Sequence, residues 1–219
     1  MTASKLKFII IIMPILAWAN LLYVPQQYGS IQAAINFSVD LDTIIVSEGT
    51  YQENINFFGK NIVVTSNYLI NQDSLIIEST IIDGNNDGSV ATFAGGELNS
   101  AILQGFTLRN GNGNYADPDG NGSFYTYGGG VYCKSSSPTL KDLIIKNNSG
   151  NAGGGGGVFC YDASPTIDGC IISNNLTDDV GGGLYARNGS DLIIRDSEFN
   201  SNEADLGGGC YFRDQSEPL

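Results

Sequence analysis

Gly128-Gly129-Gly130-Val131-Tyr132 recurs as Gly155-Gly156-Gly157-Val158-Phe159, again as Gly181-Gly182-Gly183-Leu184-Tyr185, and again as Gly207-Gly208-Gly209-Cys210-Tyr211, at steps of 27, 26 and 26 residues. Self-similarity at a fixed period marks a fold built by stacking one unit on the next. A second phrase follows the first. Pro138-Thr139-Leu140-Lys141-Asp142-Leu143-Ile144-Ile145-Lys146-Asn147-Asn148 is matched by Pro165-Thr166-Ile167-Asp168-Gly169-Cys170-Ile171-Ile172-Ser173-Asn174-Asn175, and more loosely by the stretch Ile193 to Asn202. Four columns result: Leu140, Ile167 and Ile194; Leu143, Cys170 and Ser197; Ile145, Ile172 and Phe199; Asn148, Asn175 and Asn202.

Within these phrases apolar residues alternate at period two, and no helical period survives a whole repeat. Each repeat therefore holds about three short strands separated by tight turns. One such coil cannot bury its apolar face alone. Stacking like on like, about 4.8 Å apart, makes parallel sheets around a continuous core. The expected fold is all-β: a right-handed parallel β-helix of about six to seven coils with three short strands per coil. Tyr132, Phe159, Tyr185 and Tyr211 would form an outward aromatic ladder. The Asn column would sit at a bend, its amides bonding to those above and below. Propeller blades, the main rival, are longer antiparallel units of about 40 residues or more.

Leu103, Phe106, Leu108 and Gly111 fit the frame of Leu140, Leu143, Ile145 and Asn148 at a step of 37, which places the extra residues in a polar, glycine-rich loop from Gly111 to Tyr127. Val90 to Phe93, Ile76 to Ile82, Ile62 to Val64 and Thr43 to Val46 read as strands of earlier coils. Ser30 is a good N-cap, and Ile31, Ala34 and Ile35 line one face of a short helix. That helix would cover the open end of the core and protect its strand edges.

Residues 1–19 read as a signal peptide, leaving 20–219 as the β-helix domain. Lys5 and Lys7 precede an apolar run from Phe8 to Leu16, and Ala17-Trp18-Ala19 fits a cleavage site. The run is shorter than the roughly 20 residues needed to span a bilayer, and Pro14 interrupts it. No transmembrane helix is expected in the mature chain. The reading is a secreted protein, extracellular or on the outer cell surface, and a monomer. A formal charge of −13 repels phosphate backbones and argues against nucleic-acid partners. The chain has no histidine, which removes His-ligated metals and Ser-His-Asp triads together. Gln215-Ser216-Glu217-Pro218-Leu219 restarts a coil and stops, so the domain is expected to be truncated at its C-terminus.

Tyr28-Gly29-Ser30-Ile31-Gln32-Ala33-Ala34-Ile35, Asp42-Thr43-Ile44-Ile45-Val46 and Gly49-Thr50-Tyr51-Gln52-Glu53-Asn54-Ile55 resemble the opening of the pectin-lyase-like superfamily. The glycine-asparagine repeats resemble the right-handed β-helix region of many secreted bacterial proteins. For the fold this resemblance is specific. For activity it is broad, since that superfamily holds lyases, hydrolases, esterases, epimerases, tailspikes and adhesins. Phe199-Asn200-Ser201-Asn202 is also similar to the repeats of polymorphic outer-membrane proteins, which implies display at the cell surface.

Catalytic phrases are missing. Asp178-Asp179 is the only adjacent Asp pair, with no Gly-His or Arg-x-Lys phrase beside it, and reads as a solvated turn. Two stretches, Asp83 to Gly88 and Asp117 to Gly122, match the first half of a calcium loop, in which alternate oxygens converge around a glycine turn. Asp117, Asp119 and Asn121 are the candidate ligands and calcium the candidate cofactor. Gly128 stands where the loop's closing Glu belongs, and Asx-Gly turns are also simply bends. Tyr115, Phe124, Tyr125 and Tyr127 either stack on sugar faces or pack the loop onto its coil. Cys133 and Cys160 share a column. Four buried thiols are expected, with a Cys133–Cys160 bridge as the alternative. The chain is read as a module binding extracellular polysaccharide or another surface macromolecule without catalysis. The alternative is a polysaccharide lyase or hydrolase with its site in missing coils.

Overall fold

The computed structural model describes residues 19–219, so the predicted signal segment lies, but for Ala19, outside the described residues. Three parallel sheets run along one axis. The first has eight strands, from Leu21–Val24 to Glu217–Pro218. The other two have six each, running from Gly49–Gln52 to Glu198–Asn200 and from Ile55–Asn56 to Cys210–Phe212. Six complete coils result, within the expected range. The columns pair as the repeat requires: Leu103, Leu140, Ile167 and Ile194 in the first sheet, and Leu108, Ile145, Ile172 and Phe199 in the second. Their side chains point inward and form one continuous apolar core.

The glycine triplet makes the sharp turn into the third sheet. Its first residue is left-handed in every copy, with φ of 65, 69, 68 and 63° at Gly128, Gly155, Gly181 and Gly207. In the first three copies the second and third touch backbone of adjoining coils, where a side chain has no room.

At the opposite side of that turn stands the asparagine ladder. Asn148 donates through its backbone N–H (3.1 Å) and its amide (3.0 Å) to Asn175 Oδ1, and Asn175 donates in the same way to Asn202 Oδ1 (both 3.0 Å). Gly111 occupies the first place in the column and donates its N–H to Asn148 Oδ1. Each amide also donates to a core-strand carbonyl of the preceding coil, Asn175 to Ile145 at 2.9 Å and Asn202 to Ile172 at 2.8 Å.

A helix at Ile31–Phe37 covers the N-terminal end, with Ile31, Ala34 and Ile35 buried and Ser30 as N-cap. Two charges complete its ends. The Glu53 carboxylate accepts from the N–H groups of Ile31 and Gln32, and Lys60 Nζ donates to the carbonyls of Ile35, Asn36 and Ser38. Each charge meets the end of the helix whose partial charge it complements.

One strand assignment needs correction. Ile76 to Ser79 belong to a helix, Ser74–Ser79, and the strand begins only at Thr80. Asp73 caps that helix by accepting from Leu75 N–H, and Ile76 and Ile77 turn inward. So short an apolar stretch does not distinguish a helical turn from a strand. The strand itself ends on a stable corner. Asp83 accepts from Asn85 N–H (3.0 Å), the Asn110 amide (2.9 Å) and Arg109 Nε (2.9 Å). Burial pushes its carboxyl up, but these donors outweigh it and hold it below 3.8. A depressed carboxyl contributes stability that is present above its unfolded value and lost as pH falls through the folded one. Asp83→Asn is therefore expected to cost about 1 kcal/mol at neutral pH, a low figure because the exposed side of Arg109 is screened by water. Denaturant titrations should show that difference shrinking as pH falls from the unfolded carboxyl value through the lower folded one.

Candidate binding site beneath the hairpin

The loop from Gly111 to Tyr127 folds as a hairpin, with strands Asn114–Ala116 and Tyr125–Tyr127 antiparallel. It leans back over the third sheet, where the aromatic ladder stands in register. Ring centroids are 5.6 Å apart for Tyr132–Phe159, 5.4 Å for Phe159–Tyr185 and 5.8 Å for Tyr185–Tyr211. The ladder points away from the main core, yet Tyr132, Phe159 and Tyr185 are only 4, 0 and 2% exposed. Tyr127 covers them, its ring 4.5 Å from Phe159, and Val180 closes the other side. The hairpin thus builds a second, smaller core outside the coils. The loop aromatics divide their roles: Tyr127 packs, while Tyr115, Phe124 and Tyr125 remain exposed.

Between the hairpin and the turns of the following coils lies a cavity of about 620 Å³. The hairpin contributes Asp119, Tyr125 and Tyr127. The fifth coil contributes Asp178, Asp179, Tyr185 and Arg187, and the sixth Tyr211 and Arg213. These residues meet because the turns entering the third sheet stack on one another, so neighbouring coils supply adjacent pieces of one wall.

Arg187 organises the centre. Its guanidinium pairs with Asp119 of the hairpin and donates to the Tyr185 hydroxyl at 3.4 Å. It also lies over the Tyr161 and Tyr185 rings, at 5.2 and 5.9 Å from their centroids. Burial works against its charge, but the bonds to Asp119 and Tyr185 more than restore it. The same bond to Arg187 holds the Asp119 carboxyl below its ordinary range. Burial pushes the Tyr127 and Tyr132 hydroxyls up to about 12, so both stay protonated at neutral pH. The Asp119–Arg187 pair ties the hairpin to the coil two layers away. Asp119→Ala should speed amide exchange across Asn114–Tyr127 about tenfold and leave the coil sheets unchanged, as hydrogen-exchange mass spectrometry would read.

The candidate calcium ligands are each engaged by partners in the protein. Asp117 accepts from the N–H groups of Asn121 (3.2 Å) and Gly122 (2.7 Å), and Asn121 Oδ1 accepts from Ser123 N–H (2.9 Å). Asp119 turns instead to Arg187. Among the described residues, no group of three or more Cys, Asp or Glu side chains is arranged to hold a metal ion. The cysteines are free thiols. Cys133, Cys160 and Cys170 are buried, while Cys210, in the last complete coil, is half-buried.

Sequence reasoning placed Asp178-Asp179 in a turn, and the structure puts that turn on the cavity wall. Arg187 was missed. Its signal was present in the repeat, since Lys134, Tyr161, Arg187 and Arg213 each stand two residues after a rung of the aromatic ladder. Strand alternation puts both columns on the same outer face.

Stacked parallel coils with three sheets define the class as a parallel β-helix. The sequence pattern of the right-handed β-helix region family matches residues 99–219, more than half of the chain. The chain belongs to that family. Comparison with curated proteins and with solved structures finds no match.

Proposed function

We propose that this chain is an exported β-helix module that binds an extracellular glycan without cleaving it, in the cavity beneath the hairpin. The observation that carries the reading is the composition of that cavity. Tyr125 and Tyr211 offer ring faces for a sugar, while Asp178, Asp179 and Arg187 offer acceptors and donors for hydroxyls. Export is supported by Lys5, Lys7 and the short apolar run before Ala19, and a mature chain beginning at Asn20 by mass spectrometry would test it. Among the described residues, no helix is long and apolar enough to cross a membrane.

The test is calorimetric titration of the purified chain against a panel of neutral, acidic and amine-bearing oligosaccharides, with reducing-end assays alongside. Binding is expected for at least one, weakened about tenfold by Tyr125→Ala or Tyr211→Ala, the loss of one stacked ring. Cleavage of any member would replace this reading with the lyase or hydrolase alternative.

A further inference from the structure

The charges within the same cavity point to a class of glycan, an inference that rests on the binding reading above. Both arginines of the cavity already have carboxylate partners: Arg187 pairs with Asp119, and Arg213 Nε lies 3.3 Å from Asp214. Asp178 and Asp179 have no such partner. Among the described residues, neither carboxylate makes an ion pair or a side-chain hydrogen bond. Burial and the nearby Asp205 push the Asp179 carboxyl up, and the pull of Arg213 and Arg187 does not cancel this. The turn is short of positive charge, and the faces of Tyr125 and Tyr211 on the same wall favour a cation as well.

A second observation is independent of the carboxylates. Arg187 Nε is buried with no hydrogen-bond partner, in a side chain only 11% exposed. A buried donor left unmade is costly, and the guanidinium that carries it lines the cavity. The whole chain carries −13, which opposes uronate and phosphate polymers and attracts polycations.

We propose that the cavity takes a glycan bearing free primary amines, a de-N-acetylated hexosamine segment, with its ammonium group held by Asp178 and Asp179 and its hydroxyls by Arg187. Neutral and N-acetylated sugars would meet the same rings but leave the two carboxylates unpaired.

Two oligomers of one hexosamine chain, equal in length, test this: one fully N-acetylated, the other fully de-N-acetylated. Titration in 0.15 M salt limits long-range attraction to about 8 Å. The de-N-acetylated oligomer should bind about tenfold tighter or more, a difference of about 1.4 kcal/mol. The double substitution Asp178→Asn with Asp179→Asn should bring the ratio of the two affinities to within about twofold of unity. Both side chains are exposed and unbonded, and a circular-dichroism melt would verify that the variant folds. Equal affinities in the unmodified chain overturn the proposal, as does a preference that survives the double substitution. If neither oligomer binds and no member of the wider panel does, the glycan reading itself falls. If other glycans bind and these do not, only the amine preference is lost.

Discussion

Gly156→Ala is expected to destabilise the β-helix by about 3 kcal/mol or more, although it adds a single methyl group. Its backbone is not left-handed, so conformational strain plays no part. The cost is steric. A Cβ at this position would sit 2.5 Å from the Leu176 carbonyl oxygen and 2.7 Å from that of Gly182. Both are backbone atoms fixed by ladder hydrogen bonds to their neighbours. Gly157 donates its N–H to the Gly182 carbonyl, and Gly150 donates to that of Leu176. No rotamer change relieves the clash, so the coils must separate. Gly189→Ala provides the contrast. That glycine is left-handed at φ +69 but has nothing within 4 Å of the added carbon. It should cost about 1 kcal/mol, from backbone conformation alone. Urea midpoints for the two variants separate these effects, and similar losses in both would sink the steric account.

Asn175→Asp is expected to lose about 3 kcal/mol at neutral pH and to recover part of it in acid. The side chain is 1% exposed, at the middle of the asparagine ladder. One new carboxylate oxygen would still accept from the N–H and amide of Asn148. The other would replace an NH2 that now donates to the Ile145 carbonyl and to Asn202 Oδ1, and so would face two acceptors. Ionisation is disfavoured there, which raises the folded-state pKa above the unfolded value of about 3.9. The penalty is complete at pH values above the raised folded value and shrinks as pH falls through it towards the unfolded value. The quantity to follow is the stability difference from the unmodified chain at pH 7 and again near pH 4, since both proteins also share a common acid response. A gap that stays constant between the two would show that the ladder does not govern the charge.

Much of the fold was legible because a stacked architecture writes its geometry along the chain. The triplets, the alternating Leu140 and Leu143 phrases and the Asn148 column each mark the same position in successive later coils, and the paired strands carry the same register. The capping helix was readable from Ser30 and three apolar residues on one face. Its two charged caps were not. Glu53 and Lys60 reach the helix from later parts of the first coil, and nothing local announces them. The helix at Ser74–Ser79 was obscured for another reason: Ile76 and Ile77 suit a strand as well as an inward-facing turn of helix.

The cavity was least legible. Asp119, Asp178 and Arg187 come from three separate turns, and their meeting depends on how far the hairpin leans, which no repeat encodes. Asp119 was read with Asp117 and Asn121 because they are neighbours in sequence. Its nearest opposite charge is 68 residues further on, across a space that only the folded stack closes.

That ion pair has a mechanical meaning. In a stack of coils each layer ordinarily grips only the layers above and below, so a pull along the axis peels them one at a time. Here a hairpin rooted in the third coil clasps the fifth, with Tyr127 pressed onto the fourth between them. Those three layers must yield together, and a molecule drawn out from either end should unravel in small steps until it reaches this block and then give way in one large one.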